Sequence, residues 1–186
     1  SVNVTVRWDG APAIFAGVNP DTGKFFVAKK SVFNVSPKLY STDAEINADL
    51  SGDLNSKFKI ALKEFSKLGI KGVLQGDLMF TDDVSTDTID GVKYYTFQPN
   101  TIVYAVPTDS SLGKIINKAK IGVVWHTTYT GDALQDMKAS FGVNITSLNK
   151  SSTVWMDDAT YKDTAGKSTF TETETEKVTG ILSQVG

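Results

Sequence analysis

Four residues near the start of the chain, Arg7-Trp8-Asp9-Gly10, stand where an alternating strand ends and a second one is about to begin. A strand end of this kind can project a side chain into a cleft, and Gly10 permits a sharp backbone path behind it. Arg7 can grip a phosphate with two parallel hydrogen bonds. It cannot serve as a nucleophile, because its guanidinium stays protonated and its nitrogens are delocalised. Lys29-Lys30, Gly76-Asp77 and Tyr104 offer further cationic, acidic and aromatic groups. Each also has a plain structural meaning: a turn at Asp9-Gly10, solvated lysines ending a strand, a glycine bulge beside an exposed acid, and a buried tyrosine.

Other chemistry is excluded or weakly supported. The single histidine, His126, rules out a multi-histidine metal site, and zero cysteines rule out disulfides and thiolate ligands. His126 sits mid-strand between Trp125 and Thr127 and reads as a hydrogen-bonded structural residue, since catalysis needs a base with an orienting partner. Asp82, Asp83 and Asp87 have the spacing of no calcium loop, so we assign no metal-ligand set. Trp8, Trp125 and Trp155 read as packing residues. A net charge of −2 and a pI of about 5.4 give no global pull toward nucleic acid or anionic membrane, so a polynucleotide would need a local basic groove. No apolar run approaches the roughly 18 residues that span a bilayer, and no secretion signal opens the chain. We therefore expect no membrane partner.

Several elements must position these residues. Val2, Val4, Val6 and Trp8 alternate with polar residues as in a half-buried strand. Ala13 to Val18 and Phe25 to Lys29 flank the turn Asn19-Pro20-Asp21-Thr22-Gly23, giving an antiparallel meander. Thr42-x-x-Glu45 has the form of a capping box. Leu54, Phe58, Ala61, Leu62, Phe65 and Leu68 recur at helical spacing up to Gly69, which predicts a core-packing helix over 53–68. Ile70 to Phe80 reads as a long strand, Thr81 to Thr88 as a polar loop and Asp90-Gly91 as a hairpin turn. Val92 to Phe97, Thr101 to Val106 and Lys120 to Thr128 read as strands, with a short helix capped by Ser110 or Ser111 and another over Ala133 to Phe141. The predicted fold is α+β, with mostly antiparallel sheets, one substantial helix and a few short ones. We expect one domain over 1–186, with 157–186 a polar C-terminal segment; the start at Ser1, close to a strand, suggests a piece of a longer chain.

The segments resemble, in order, the motifs of the nucleotidyltransferase domain of ATP-dependent RNA and DNA ligases. Those enzymes carry Lys-x-Asp-Gly where this chain has Arg7-Trp8-Asp9-Gly10, and their lysine forms a phosphoramide with the nucleotide. Phe26-Val27-Ala28-Lys29-Lys30-Ser31 resembles the following segment, whose basic residue contacts a phosphate. Leu74-Gln75-Gly76-Asp77-Leu78 resembles a Gly-Glu-Leu motif of the same pocket, with aspartate for glutamate. Ile102-Val103-Tyr104-Ala105-Val106 resembles a strand whose aromatic ring stacks on the purine.

Longer runs, including Trp8 to Gly17, Gln75 to Phe80, Pro99 to Val106 and Ile121 to Tyr129, resemble a poorly characterised ligase-like family of tailed bacteriophages, over about residues 1–145. The resemblance implies ATP and Mg²⁺ as cofactors, nucleic acid ends or other phage proteins as partners, and the host cytoplasm or the virion as location. It assigns Arg7, Asp9, Lys30 and Asp77 to the catalytic position, and Trp8, Gly10, Lys29, Gly76 and Tyr104 to nucleotide binding. Two departures stand out. Arg7 replaces the nucleophilic lysine, and the later Glu-Gly-x-Val and Lys-x-Lys motifs have no clear counterpart. Ile121-Gly122-Val123-Val124 lacks the preceding acid, and Lys118-Ala119-Lys120 precedes that strand instead of following it.

Overall fold

A computed structural model describes residues 12–30 and 32–159 of the chain. The strand expected at Val2 to Trp8, the Arg7-Trp8-Asp9-Gly10 segment and most of the polar segment from 157 onward lie outside the described residues. Within them the fold is α+β, with mostly antiparallel sheets and three helices.

Strands β1 (Ala13–Val18) and β2 (Phe25–Ala28) form the expected hairpin, pairing Phe15 with Ala28 and Val18 with Phe25. Thr42 then starts α1 (Asp43–Asp49). The Glu45 amide donates to Thr42 Oγ1 at 3.1 Å, and the Ser41 amide donates to the Glu45 carboxylate at 2.9 Å. The capping-box spacing therefore acts as a reciprocal cap. Helix α2 (Gly52–Phe65) follows; its Phe58, Ala61 and Phe65 are buried, each aromatic ring contributing about 1.5–3 kcal/mol on leaving water.

Gly69 and Gly72 both take positive φ, 66° and 73°. This left-handed backbone interrupts any extension from Ile70, so β3 (Val73–Phe80) starts three residues later than the apolar pattern predicts. Three strands then form a separate sheet in the order β4 (Ser85–Ile89), β5 (Val92–Phe97) and β6 (Tyr104–Pro107). Asp90 at φ 51° and Gly91 at φ 79° make the tight turn that β4 and β5 share. Strand β4 falls partly in the segment read as loop, because its exposed Ser-Thr-Asp-Thr run has no apolar face to betray it. Ser110 caps α3 (Ser111–Lys118), accepting the Gly113 amide at 3.0 Å.

The main sheet has the order β2-β1-β3-β7-β8, with β9 also paired to β7. β7 (Ile121–Thr130) runs antiparallel to β3. The stretch read as a short helix over Ala133 to Phe141 is a 3₁₀ turn at Leu134–Asp136 followed by β8 (Lys138–Phe141), whose side chains are all exposed. β9 (Val154–Asp158) is parallel to β7 and was hidden by the acidic residues that end it.

The two faces of this sheet are covered differently. One packs Ile14, Ala16, Leu74, Leu78, Val123 and Trp125 against α1 and α2, with Trp125 and Phe65 rings 5.1 Å apart. The opposite face carries two apolar clusters. Phe15, Phe26, Ala28, Val32 and Val73 lie toward one end, and Met79, Phe80, Val124 and Trp155 meet the second sheet and α3 at the other.

Candidate functional site

Strand register places two of the segments singled out in the sequence, those of Lys29-Lys30 and of Asp77, in one sheet with β1 between them. Asp77 on β3 pairs with Ala13 on β1 and with Val124 on β7, and Val124 pairs with Asp157 on β9. Directly paired residues share a sheet face, so Ala13, Asp77, Val124 and Asp157 form one transverse row on the face opposite α2. Lys30 follows Ala28 by two residues as Ala13 precedes Phe15 by two, so β2 and β1 carry Lys30 and Ala13 toward the same end of the sheet. The Pro12 carbonyl accepts the Leu78 amide at 2.8 Å, which docks the approach to β1 beside Asp77.

A break in the β3–β7 register falls between Gln75 and Gly76: Gln75 faces Thr127 and Gly76 faces Trp125, leaving His126 as the extra residue of a bulge. The bulge turns His126 toward Asp77, with Nε2 at 3.9 Å from the carboxylate. That is too long for a hydrogen bond, and burial, which penalises the imidazolium, holds the His126 pKa below its usual value. Nδ1 lies 2.7 Å from Thr127 Oγ1. One step further along the face, the Tyr129 hydroxyl donates to Gln75 at 2.7 Å, and burial raises the Tyr129 pKa. Asp77, His126, Gln75, Thr127 and the buried Asp157 thus form a polar band between the two apolar clusters. Sequence reading found Asp77 and left out Asp157, which the unrecognised β9 carries.

Lys29 and Lys30 line a cleft of about 270 Å³ with Asn34, Ser36, Lys38 and Tyr40. The chain leaves β2 at Lys29 and returns at Tyr40, whose backbone bonds both ways with Val27 at 2.9 Å. The Tyr40 hydroxyl donates to Asp49 at the end of α1, and Lys38 donates to the same carboxylate at 2.9 Å. Those two hydrogen bonds, from Tyr40 first and Lys38 second, hold the Asp49 pKa below the ordinary carboxylate range. Burial and the same Asp49 contact raise that of Tyr40.

Tyr104 stands apart. It is 1% exposed and stacked on Phe97 at 5.5 Å and 17° within the second cluster, so its ring serves the core and presents no open face to a purine. Gly76 is buried, and its missing β-carbon makes room for the Val124 carbonyl and the Trp125 ring. Arg7, Trp8, Asp9 and Gly10 lie outside the described residues. The lysines fit phosphate groups as point charges. Asp77 fits the one or two carboxylates with which proteins commonly hold phosphate-bound Mg²⁺. Among the described residues no group of three acidic, histidine or cysteine side chains could hold a metal by itself.

Among these residues, no helix is long and apolar enough to cross a membrane. The whole chain, residues 1–186, matches the model of DUF6267, a family of unknown function, and the chain belongs to that family. No curated protein and no solved structure matches it.

Proposed function

We propose that this chain is a ligase-like nucleotidyltransferase domain of a phage that binds ATP with Mg²⁺ but cannot adenylylate itself, because Arg7 occupies the nucleophile position. The supporting observation is the strand order. Two of the segments that resemble ligase motifs, those of Lys30 and Asp77, lie far apart in sequence, yet their strands β2 and β3 flank β1 in one sheet, with both residues toward the same end. On this reading Lys29 and Lys30 meet phosphate oxygens, and Asp77 faces the phosphate-bound cation. Tyr104 is buried and does not offer the stacking ring that the resemblance implies.

The acidic pI and the arginine favour a second reading, a non-catalytic ligase-like module that assembles with nucleic acid ends or other phage proteins. Calorimetric titration of the full chain with ATP and Mg²⁺ tests the first. Saturable binding is expected, weakened about tenfold or more by Asp77→Asn, about 1.4 kcal/mol. Absence of ATP binding leaves only the second reading.

A further inference from the structure

We infer that a lysine stripe along α2, with the cleft beyond its end, docks the chain's own acidic run Glu172-Thr173-Glu174-Thr175-Glu176, which lies outside the described residues. Lys59 and Lys63 stand about one helical turn apart on α2, and Lys67 follows just past its end. Asn149 brings Lys150 beside them, its backbone amide donating to the Leu68 carbonyl at 2.9 Å and its side chain to the Lys67 carbonyl at 3.1 Å. Lys71 extends the group toward the cleft. Among the described residues Lys59, Lys63, Lys71 and Lys150 form no ion pair. The one carboxylate paired with the group is Glu64, which is 2% exposed, lies 3.0 Å from Lys67 and also feels the charge of Lys63. Like charges at four-residue spacing weaken a helix, so the stripe does not serve the stability of α2.

Spacing, chemistry and reach select the occupant. A four-residue helical step rises about 6 Å, and alternate residues of an extended chain stand about 6.6 Å apart. Glu172, Glu174 and Glu176 therefore match Lys59, Lys63 and Lys67 one to one. Val178, Ile181 and Leu182 come next in the sequence. In the fold, Lys67 is followed by a cleft of about 240 Å³ that runs from Gly69 and Lys71 to the buried Leu74, Val143 and Leu148. Thr153 donates to Glu64 on α2, and β9 carries the chain on from there to Ala159. Those six residues keep Ala159 within about 20 Å of Glu64, while the thirteen from Ala159 to Glu172 reach about 43 Å. Exposed ion pairs are weak singly, but a tether that holds the acids near millimolar effective concentration makes three of them sufficient.

The chain has no cysteine, so Thr175→Cys gives the full chain a single site for a nitroxide, read by paramagnetic broadening of backbone amide NMR signals. Amides of residues 59–74 should lose roughly half their intensity or more relative to the reduced label, and regain it at about 0.5 M salt as screening sets in. Lys59→Glu with Lys63→Glu should abolish the broadening. Adding Glu172→Lys with Glu174→Lys should restore it, which a misfolded double variant could not do. Broadening confined to other parts of the chain, or unchanged by the lysine reversals, would overturn the proposal. So would broadening of equal strength between spin-labelled chain and isotope-labelled chain lacking the cysteine, which would place the acidic run on a second copy.

Discussion

Gly76 is the candidate-site residue whose presence the sheet explains most fully. A β-carbon there would lie 2.7 Å from the Val124 carbonyl oxygen and 2.8 Å from Trp125 Cε3. Gly76→Ala should therefore destabilise the fold by about 1–3 kcal/mol through overpacking, seen as a lower midpoint in urea denaturation, whether or not the site binds anything. His126 gives a second expectation at this scale. Burial lowers its folded pKa below the unfolded value of about 6.5, so the unfolded chain binds more protons as pH falls. Its contribution to stability is full above about pH 6.5 and is lost as pH drops through the folded pKa. An NMR titration should place the His126 midpoint below 6.5, and His126→Gln should flatten the stability profile in that window. The bulge that aims His126 at Asp77 was not legible in sequence, and the two readings of Tyr104, buried or stacking on a purine, could not be separated there, because both depend on which strand lies opposite. A mid-strand tyrosine reads the same whether it stacks on a ligand or on Phe97.

Elements with local signals were legible, and elements defined by partners were not. The Thr42–Glu45 cap, the Asp90-Gly91 turn, the Ser110 cap and the apolar spacing of α2 are written within a few residues each. β4 and β8 have almost wholly exposed side chains, and β9 is recognisable only by its parallel pairing with β7. α2 is tied to the end of β3 by Lys57, whose Nζ donates to Asp83 at 2.8 Å and to Thr81 at 3.1 Å. Burial pushes the Asp83 pKa up, but the Lys57 hydrogen bond and charge and the Thr81 amide outweigh it, so the net shift is downward. That stability is present above about pH 4 and lost as pH falls through the lowered pKa. Asp83→Ala should cost about 1–2 kcal/mol in chemical denaturation at pH 7, a figure reduced for the partial exposure of the carboxylate. The same variant should lose less stability than the parent on acidification.

For the molecule as a whole, an overall charge of −2 hides a local concentration of lysines around residues 29–40. Net charge bears on solubility and does not locate individual cations. The α+β class followed from alternating strands and one long amphipathic segment, and the β1–β2 hairpin from its turn; the pairing of β1 with β3 followed from nothing local. The proposal above, a ligase-like domain with arginine at the nucleophile position, turns on the chemistry of residue 7. Its most direct test is incubation with α-³²P-labelled ATP and Mg²⁺ followed by denaturing electrophoresis of the unaltered chain and of Arg7→Lys. The expected result is a covalent label on Arg7→Lys alone. A label on the unaltered chain, or on neither, would contradict it.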